Sequence, residues 1–160
     1  MKVADSSFEM AALQRLLESS PAASPALADS VAFAPRRMSA AELASFWSSI
    51  RLVAMATVGP SGQPHIAPVH AELRGDELSV QVYADATRRR DLQSNPRVAF
   101  TAWDSEGAVA ILYGRAREVE GSLRSARPSQ AGREREVVEI LVRLTRVYAM
   151  SAKKVCAPSS

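Results

Sequence analysis

The sequence is poor in cysteine and contains no long run of apolar residues. Its single cysteine, Cys156, is near the C-terminal end, which indicates neither a disulfide framework nor a multi-cysteine metal cluster and fits a reducing cytoplasm. No stretch approaches the roughly eighteen consecutive apolar residues of a membrane-spanning helix, and the first residues lead into no apolar core. We therefore expect a cytoplasmic protein that is neither secreted nor bound to a membrane.

The chain also lacks a strong excess of charge of one sign. Its net charge is +3, and the arginines are scattered along the chain, so there is no electrostatic case for a nucleic-acid partner. Hydrophobic residues make up 47% of the sequence, which is ordinary for a globular protein. With 160 residues, the chain is long enough for one domain with a sizeable core and too short for two ordinary ones.

Residues 1–38 differ in composition from the rest of the chain. Apolar residues between Phe8 and Leu17 recur at roughly helical spacing and predict a short helix with one apolar face. The stretch from Ser19 to Ala34 is mostly Ala, Ser and Pro, with prolines spaced to prevent a helix. We interpret residues 1–38 as an N-terminal helix and a linker. The favoured interpretation is a loosely attached arm, and the alternative is a helix that packs on a partner subunit or covers a site.

A folded domain is predicted over residues 39–150, followed by a C-terminal tail, 151–160. Ser39 and Glu42 form a capping box at the start of a helix, on which we expect Trp47 to be a core anchor. After this helix the hydrophobic period becomes extended. The predicted strands are Leu52–Val58, His65–Leu73, Leu78–Tyr83, Val98–Trp103, Ala108–Val119 and, with a helix as the alternative, Val137–Met150, the last preceded by a polar loop from Gly121 to Arg135. Six strands with one helix between the third and fourth predict a mainly β protein, an antiparallel barrel.

A basic segment lies between the third and fourth strands. The sequence predicts a helix whose first turn is Arg88-Arg89-Arg90. Either Asp85 or Thr87 can cap it, and Asn95 and Pro96 end it. Cations at a helix N-terminus are unfavourable unless negative charge is held nearby. A phosphate fits that description, because backbone N–H groups, a hydroxyl and a guanidinium are good partners for its oxygens. A merely solvated basic face is the alternative, and spacing alone leaves both open.

Pro68 lies inside the second predicted strand, where a proline removes a ladder hydrogen bond. Either the ladder is interrupted there, so that backbone groups beside His65 and His70 can face a ligand, or the strand is an edge. The two histidines are five residues apart and point to opposite faces of a strand, which disfavours a shared metal ion. We expect no metal site.

Three motifs carry a family resemblance: residues 62–69 (GQPHIAPV), 87–98 (TRRRDLQSNPRV) and 114–116 (GRA). In this order and spacing they resemble the flavin-binding split barrels related to pyridoxamine 5'-phosphate oxidase. The resemblance implies a six-stranded antiparallel split β-barrel with short flanking helices, and a homodimer with FMN sites at the subunit interface. It implies a strand along the isoalloxazine, a phosphate site at the basic helix, and a strand leading into that site. The cofactor-binding residues that it implies are His65, Ile66, Ala67, Pro68, Val69, His70, Val82, Tyr83, Thr87 and Arg88.

The chain departs from the family pattern at several positions. Thr87 replaces an arginine and Arg88 a lysine, which lowers the local charge, and Val109 stands where the oxidase commonly has a glutamine that contacts the flavin. The oxidase's C-terminal extension, which serves its pyridoxal phosphate substrate, is also lacking. We therefore expect no vitamin B6 oxidation. Relatives of this length bind FMN, deazaflavin or haem, and because the cofactor supplies the reactive atoms, we assign no catalytic side chain.

The leading functional hypothesis is an FMN-binding oxidoreductase that passes a hydride or electrons between a nicotinamide or oxygen and a small substrate. The sequence does not identify that substrate. One alternative is a deazaflavin-dependent reductase, for whose longer acidic tail Arg36, Arg37 and Arg51 could extend a basic groove. Another is a flavin- or haem-binding protein without turnover of its own.

Overall fold

A computed structural model describes residues 2–126 and 132–152; the rest of the predicted tail, with Cys156, lies outside the described residues. The helices are α1 (Lys2–Ser19), α2 (Pro25–Asp29), α3 (Ala40–Ser49) and α4 (Thr87–Ser94), with a 3-10 turn at Ala34–Arg36. The strands are β1 (Val53–Val58), β2 (Pro64–Val69), β3 (Ala71–Arg74), β4 (Glu77–Tyr83), β5 (Arg97–Trp103), β6 (Val109–Glu118), β7 (Arg124–Ala126) and β8 (Arg135–Met150). The mainly β class predicted from the alternating pattern is confirmed.

The sheet curls so far that a single residue connects its two edge strands along the chain. Its strand order is β2-β1-β5-β6-β8-β4-β3, and β7 pairs separately with β8. β2 and β3 are therefore the two edges of the sheet, yet only His70 separates them in sequence. The chain can pass from one edge to the other in so short a step only if the sheet curls until the edges meet. The predicted antiparallel split barrel is thus confirmed.

The described residues form eight strands where six were predicted. The predicted strand His65–Leu73 breaks at His70, because its two halves pair with different partners, β1 and β4. The short strand β7 lies inside the predicted loop Gly121–Arg135 and pairs with the start of β8. β8 is a single strand of 16 residues, so its β-branched residues decide against the helical alternative.

The inner face of the sheet carries the apolar core. β1 shows the expected pattern, with buried residues alternating with partly buried ones. α3 begins at the predicted capping box, in which Ser39 Oγ accepts from the Glu42 N–H and the Glu42 carboxylate accepts from the Ser39 N–H. Trp47 is buried, and its Nε1 donates to Ala71 O at 2.9 Å. Its predicted role as a core anchor is confirmed.

The N-terminal helix belongs to the core, so the expectation of a loosely attached arm is wrong. Leu13 and Leu17 of α1 are buried in the same apolar cluster as the inner faces of the strands. Ser20 Oγ, just beyond α1, accepts from a backbone N–H of β8 at 2.9 Å. The predicted linker also contains α2, which Pro25 opens at a first-turn position that needs no N–H donor. The division of the chain at residues 38 and 150 stays a prediction.

Candidate functional site

Two neighbouring clefts contain all the residues that the family resemblance assigns to a cofactor. The smaller, here called the α4 cleft, has a volume of about 480 Å³ and lies between α4, β1, β2 and the end of β4. The larger, here called the β4 groove, has a volume of about 1060 Å³. The α4 cleft is lined by His65, Ile66, Ala67, Tyr83, Thr87 and Arg88. The β4 groove is lined by Pro68, Val69, His70 and Val82, and again by Tyr83 and Arg88, where the clefts meet.

The N-terminus of α4 carries no side-chain cap. Its N-cap residue is Ala86, so the prediction that Asp85 or Thr87 caps this helix is wrong. Thr87 is itself the first helical residue, and its Oγ1 accepts from Arg90 at 3.4 Å. The Asp85 side chain is exposed and lies 3.8 Å from Arg135. The Arg89 N–H donates to Ala86 O, whereas no described side chain caps the N–H groups of Thr87 and Arg88, so these two can bind an anion.

The three arginines of α4 differ in their surroundings. Arg89 is bound to Glu118 through two hydrogen bonds and donates to Ala84 O, so it holds α4 against the barrel. The hydrogen bond from Arg89 lowers the pKa of Glu118 although partial burial opposes the shift. Arg90 is exposed and fits the solvated alternative. Arg88 differs from both, because its Nε is buried and has no hydrogen-bond partner among the described residues.

A buried polar cluster lies behind the α4 cleft. Asp91 Oδ2 accepts from Thr57 Oγ1 at 2.7 Å and pairs with His65 Nδ1 at 2.8 Å. Thr57 and His65 are direct cross-strand partners, so β1 and β2 present both groups to α4 together. Burial alone would raise the pKa of Asp91, but the hydrogen bonds from Thr57 and His65, together with the charges of His65 and Arg90, keep it below its ordinary value. The cluster fixes the middle of α4 relative to β1 and β2.

β2 is an edge strand. This agrees with the second interpretation of Pro68, in which the proline is tolerated because the strand lies at the edge of the sheet. It pairs only with β1, and Pro68 itself is exposed opposite Ala54. The break in the ladder comes two residues later, at His70. His70 is exposed and lines the β4 groove, whereas His65 lines the α4 cleft, so the structure does not bring the two histidines to one site. The outer side of the β2 backbone has no strand partner and remains available to a ligand.

Arg135 is a cleft residue that sequence reasoning missed. Its guanidinium lies over the Tyr83 ring, 5.0 Å from the ring centroid, and it lines the α4 cleft beside Arg88. It reaches the site because β8 pairs with β4, with Val137 opposite Tyr83. Met55, Thr57 and Asp91 were missed for the same reason, since no local spacing connects β1, α4 and β8.

The basic groove considered for a deazaflavin tail does not form within one chain. The Arg36 side chain donates to the carbonyl of Ser151. The backbone of Arg37 forms an isolated antiparallel β-bridge with Met150, at the C-terminal end of β8. Tyr83 lies at the opposite end of β8, which at about 3.3 Å per residue is roughly 40 Å along the strand. Arg51 lines neither cleft.

The closed antiparallel sheet, with a basic helix at the mouth of a cleft, defines the class of a split β-barrel. The chain belongs to the pyridoxamine 5'-phosphate oxidase family, whose model matches residues 39–151. A comparison with curated protein sequences finds no significant match.

Solved structures share the fold at low sequence identity. A conserved hypothetical protein from Mycobacterium tuberculosis is 24% identical, with a TM-score of 0.55, over 79% of this chain and 98% of that one. An F420 reductase is 21% identical, with a TM-score of 0.53, over 64% of this chain and 93% of that one. HutZ, described as a haem storage protein from Vibrio cholerae, is 15% identical, with a TM-score of 0.56, over 70% and 94% of the two chains.

Proposed function

We propose that the chain binds FMN with its phosphate at the start of α4 and serves as an oxidoreductase for a small substrate. The observation that carries this proposal is the buried, unpartnered Nε of Arg88, at a helix N-terminus that no side chain caps. A buried donor without an acceptor costs about 1–3 kcal/mol, so a ligand that brings an acceptor to this nitrogen would be favoured. A phosphate oxygen supplies the missing acceptor.

The charges around the α4 cleft suit a phosphate monoester. Such a group carries close to two negative charges at neutral pH. Arg88 and Arg135 both line the cleft, and the helix N-terminus adds about half a positive charge. Among the described residues, Arg135 is held by the ring of Tyr83 and by an exposed Asp85, two contacts that leave it able to turn toward a ligand. Thr87 offers its hydroxyl and its backbone N–H.

The β2 edge suits the ring system of a flavin. Residues 65–70 leave backbone donors and acceptors without strand partners, which can bind the polar edge of an isoalloxazine. Met55 and Ala67 give that end of the cleft an apolar wall, and Tyr83 closes the other side. In this arrangement the site residues bind and orient, while the flavin supplies the electron-transfer chemistry. The β4 groove, which meets the cleft at Tyr83 and Arg88, gives a small substrate room beside the cofactor.

FMN fits these surroundings better than a deazaflavin with an acidic tail. The β4 groove continues from the phosphate end of the α4 cleft, and acidic side chains outnumber arginines in its lining. Its acidic lining residues are Glu9, Glu72, Asp76, Glu77 and Glu139, against Arg74, Arg88 and Arg143. An acidic tail would meet repulsion there. F420 and haem, the ligands named for two of the structural neighbours, serve as competitors in the binding test.

A homodimer is part of the proposal, and an apolar outer face of the sheet supports it. Cross-strand register places Ile66, Ala56, Ala99 and Tyr113 in one row on that face. Ile66 is 74% exposed and, nearby on β5, Trp103 is 62% exposed. Exposed apolar surface of this kind marks an interaction site. Sedimentation velocity should give about twice the monomer mass of 17.2 kDa, whereas a monomer would contradict the dimer.

The described helices offer no membrane-spanning candidate by length and hydropathy. The cytoplasm remains the proposed compartment, on the basis of the single cysteine.

Substitution of Arg88 by alanine is expected to weaken FMN binding by about 1.5–3 kcal/mol, which is roughly a tenfold to hundredfold increase in Kd. The reason is the loss of a charge-assisted contact to the phosphate. Quenching of flavin fluorescence in a titration of cofactor-free protein measures it. Arg117→Ala, which removes an exposed arginine that lines neither cleft, is the matched control. Equal affinities for wild type and Arg88→Ala would remove Arg88 from the site.

Turnover is tested separately from binding. The FMN-loaded protein should be reduced by NADH or NADPH and reoxidised by oxygen or an added acceptor, as followed by flavin absorbance. Reduction no faster than that of free FMN would leave a flavin-binding protein without enzymatic activity.

A further inference from the structure

His65 is held at its inner ring nitrogen and open at its outer one. Nδ1 lies 2.8 Å from Asp91 Oδ2, and among the described residues Nε2 has no hydrogen-bond partner. The side chain is 40% exposed and lines the α4 cleft, whereas the side chain of Asp91 is 3% exposed. Nε2 is therefore the nitrogen that a ligand in the cleft can reach.

Asp91 determines which nitrogen keeps its proton. An ionised carboxylate only accepts hydrogen bonds, so Nδ1 must be the donor in this contact. Thr57 also donates to the same carboxylate oxygen, at 2.7 Å. The pKa of Asp91 lies below its ordinary value, so the carboxylate is ionised at neutral pH. When the imidazole gains a second proton, it gains it at Nε2, facing the cleft.

We propose that Asp91 is a positioning residue that presents Nε2 of His65 to the α4 cleft, so that an anionic ligand binds more tightly when Nε2 is protonated. The proposal rests on the proposed cofactor site and adds a pH dependence to it. The protonated ring would join Arg88 and Arg135 as a third positive group and would donate a charge-assisted hydrogen bond. Gly59 packs against this pair, because a Cβ there would lie 3.3 Å from both Asp91 Oδ1 and His65 Cε1.

The other charged groups around the cleft set the direction of the coupling. The charged and titratable side chains around His65 are Arg88, Arg90 and Asp91 of α4, Tyr83 and Asp85 at the end of β4, and Arg135 of β8. Arg89 of α4 does not line the cleft and is paired with Glu118. An anion held between Arg88 and Arg135 offsets their charge and so favours protonation of Nε2. By linkage, protonation of Nε2 favours binding of the anion to the same extent.

The test is the pH dependence of the FMN dissociation constant, measured by fluorescence quenching from about pH 5.5 to about 8.5, where histidine side chains titrate. His65→Gln removes the imidazole, and FMN's own phosphate affects every variant alike. We expect the ratio of the His65→Gln Kd to the wild-type Kd to grow by about tenfold toward low pH. Asp91→Asn should lose most of that growth while remaining folded by circular dichroism. Arg117→Ala, which removes an exposed arginine that lines neither cleft, should follow the wild type.

A second readout does not depend on the cofactor. Ring ¹⁵N shifts of His65 in the wild type should show the neutral tautomer with its proton on Nδ1, and this can be measured even if Asp91→Asn does not fold. Parallel pH profiles for wild type and His65→Gln, or a proton on Nε2 in the neutral ring, would overturn the inference. Those outcomes do not contradict the proposed cofactor site as long as Arg88→Ala still weakens FMN binding. Unchanged binding in Arg88→Ala would reject the proposed phosphate site itself.

Discussion

Replacing Leu13 by alanine is expected to lower the free energy of unfolding by about 2–5 kcal/mol, as for other fully buried leucines. Leu13 is fully buried in the central apolar cluster, although it belongs to a segment that composition alone marks as peripheral. The same helix also contacts the β3–β4 turn, where a Cβ on Gly75 would lie 3.0 Å from Glu9 Cα. Removing the Leu13 side chain would therefore open a cavity between α1 and the barrel.

Urea unfolding followed by circular dichroism measures this change. Phe8→Ala on the same helix is the control, because Phe8 is 70% exposed and its loss should cost less than about 0.5 kcal/mol. Equal midpoints for wild type and Leu13→Ala would restore the loosely attached arm that the sequence suggested.

Gly114→Ala is the second substitution with a large expected effect, about 3 kcal/mol or more of lost stability. A Cβ at this position would lie 2.5 Å from Val142 Cγ1 and 2.6 Å from Arg143 O. The position coincides with the irregularity in the β6–β8 pairing between Tyr113 and Gly114, where the two backbones come close together. Because one of the clashing atoms is backbone, β6 would have to move away from β8.

A double variant separates the two contacts at this position. Val142→Ala removes the Cγ1 conflict but leaves the one with Arg143 O, and it has its own cost because Val142 is fully buried. In the Val142→Ala background, Gly114→Ala should therefore still lower the stability, but by less than it does in the wild type. Gly62→Ala is the control, since a Cβ there meets nothing within 4 Å and only the positive φ of 83° opposes it, at a cost of about 1 kcal/mol. A Gly114→Ala protein as stable as Gly62→Ala would contradict the close approach.

The local hydrophobic pattern of the sequence was sufficient to predict most strands of the barrel. Alternation along β1, β4, β5 and β6 predicted each strand to within a few residues, because one face of each strand is buried and the other is not. The capping box at Ser39 likewise depends on residues only three apart. Features with short sequence separation could be predicted from the sequence.

The features that could not be predicted from the sequence depend on contacts between residues that are far apart along the chain. The strand from His65 to Leu73 looks continuous in sequence, and its break at His70 follows only from the two halves lying on opposite edges of the sheet. In the sequence, Asp91 is one polar residue on a basic helix. In the structure, β1 and β2 place Thr57 and His65 against it. Arg135 reaches the α4 cleft through the pairing of β8 with β4. None of these contacts has a local signal.

The most direct measurement of the central claim is a paired titration of cofactor-free protein with FMN and with riboflavin, which lacks the phosphate. We expect FMN to bind at least about tenfold more tightly than riboflavin, because only FMN offers an acceptor to Arg88 and to the start of α4. In Arg88→Ala the two affinities should approach each other. Equal binding of FMN and riboflavin by the wild type, or binding of F420 or haem in place of FMN, would contradict a flavin phosphate site at α4.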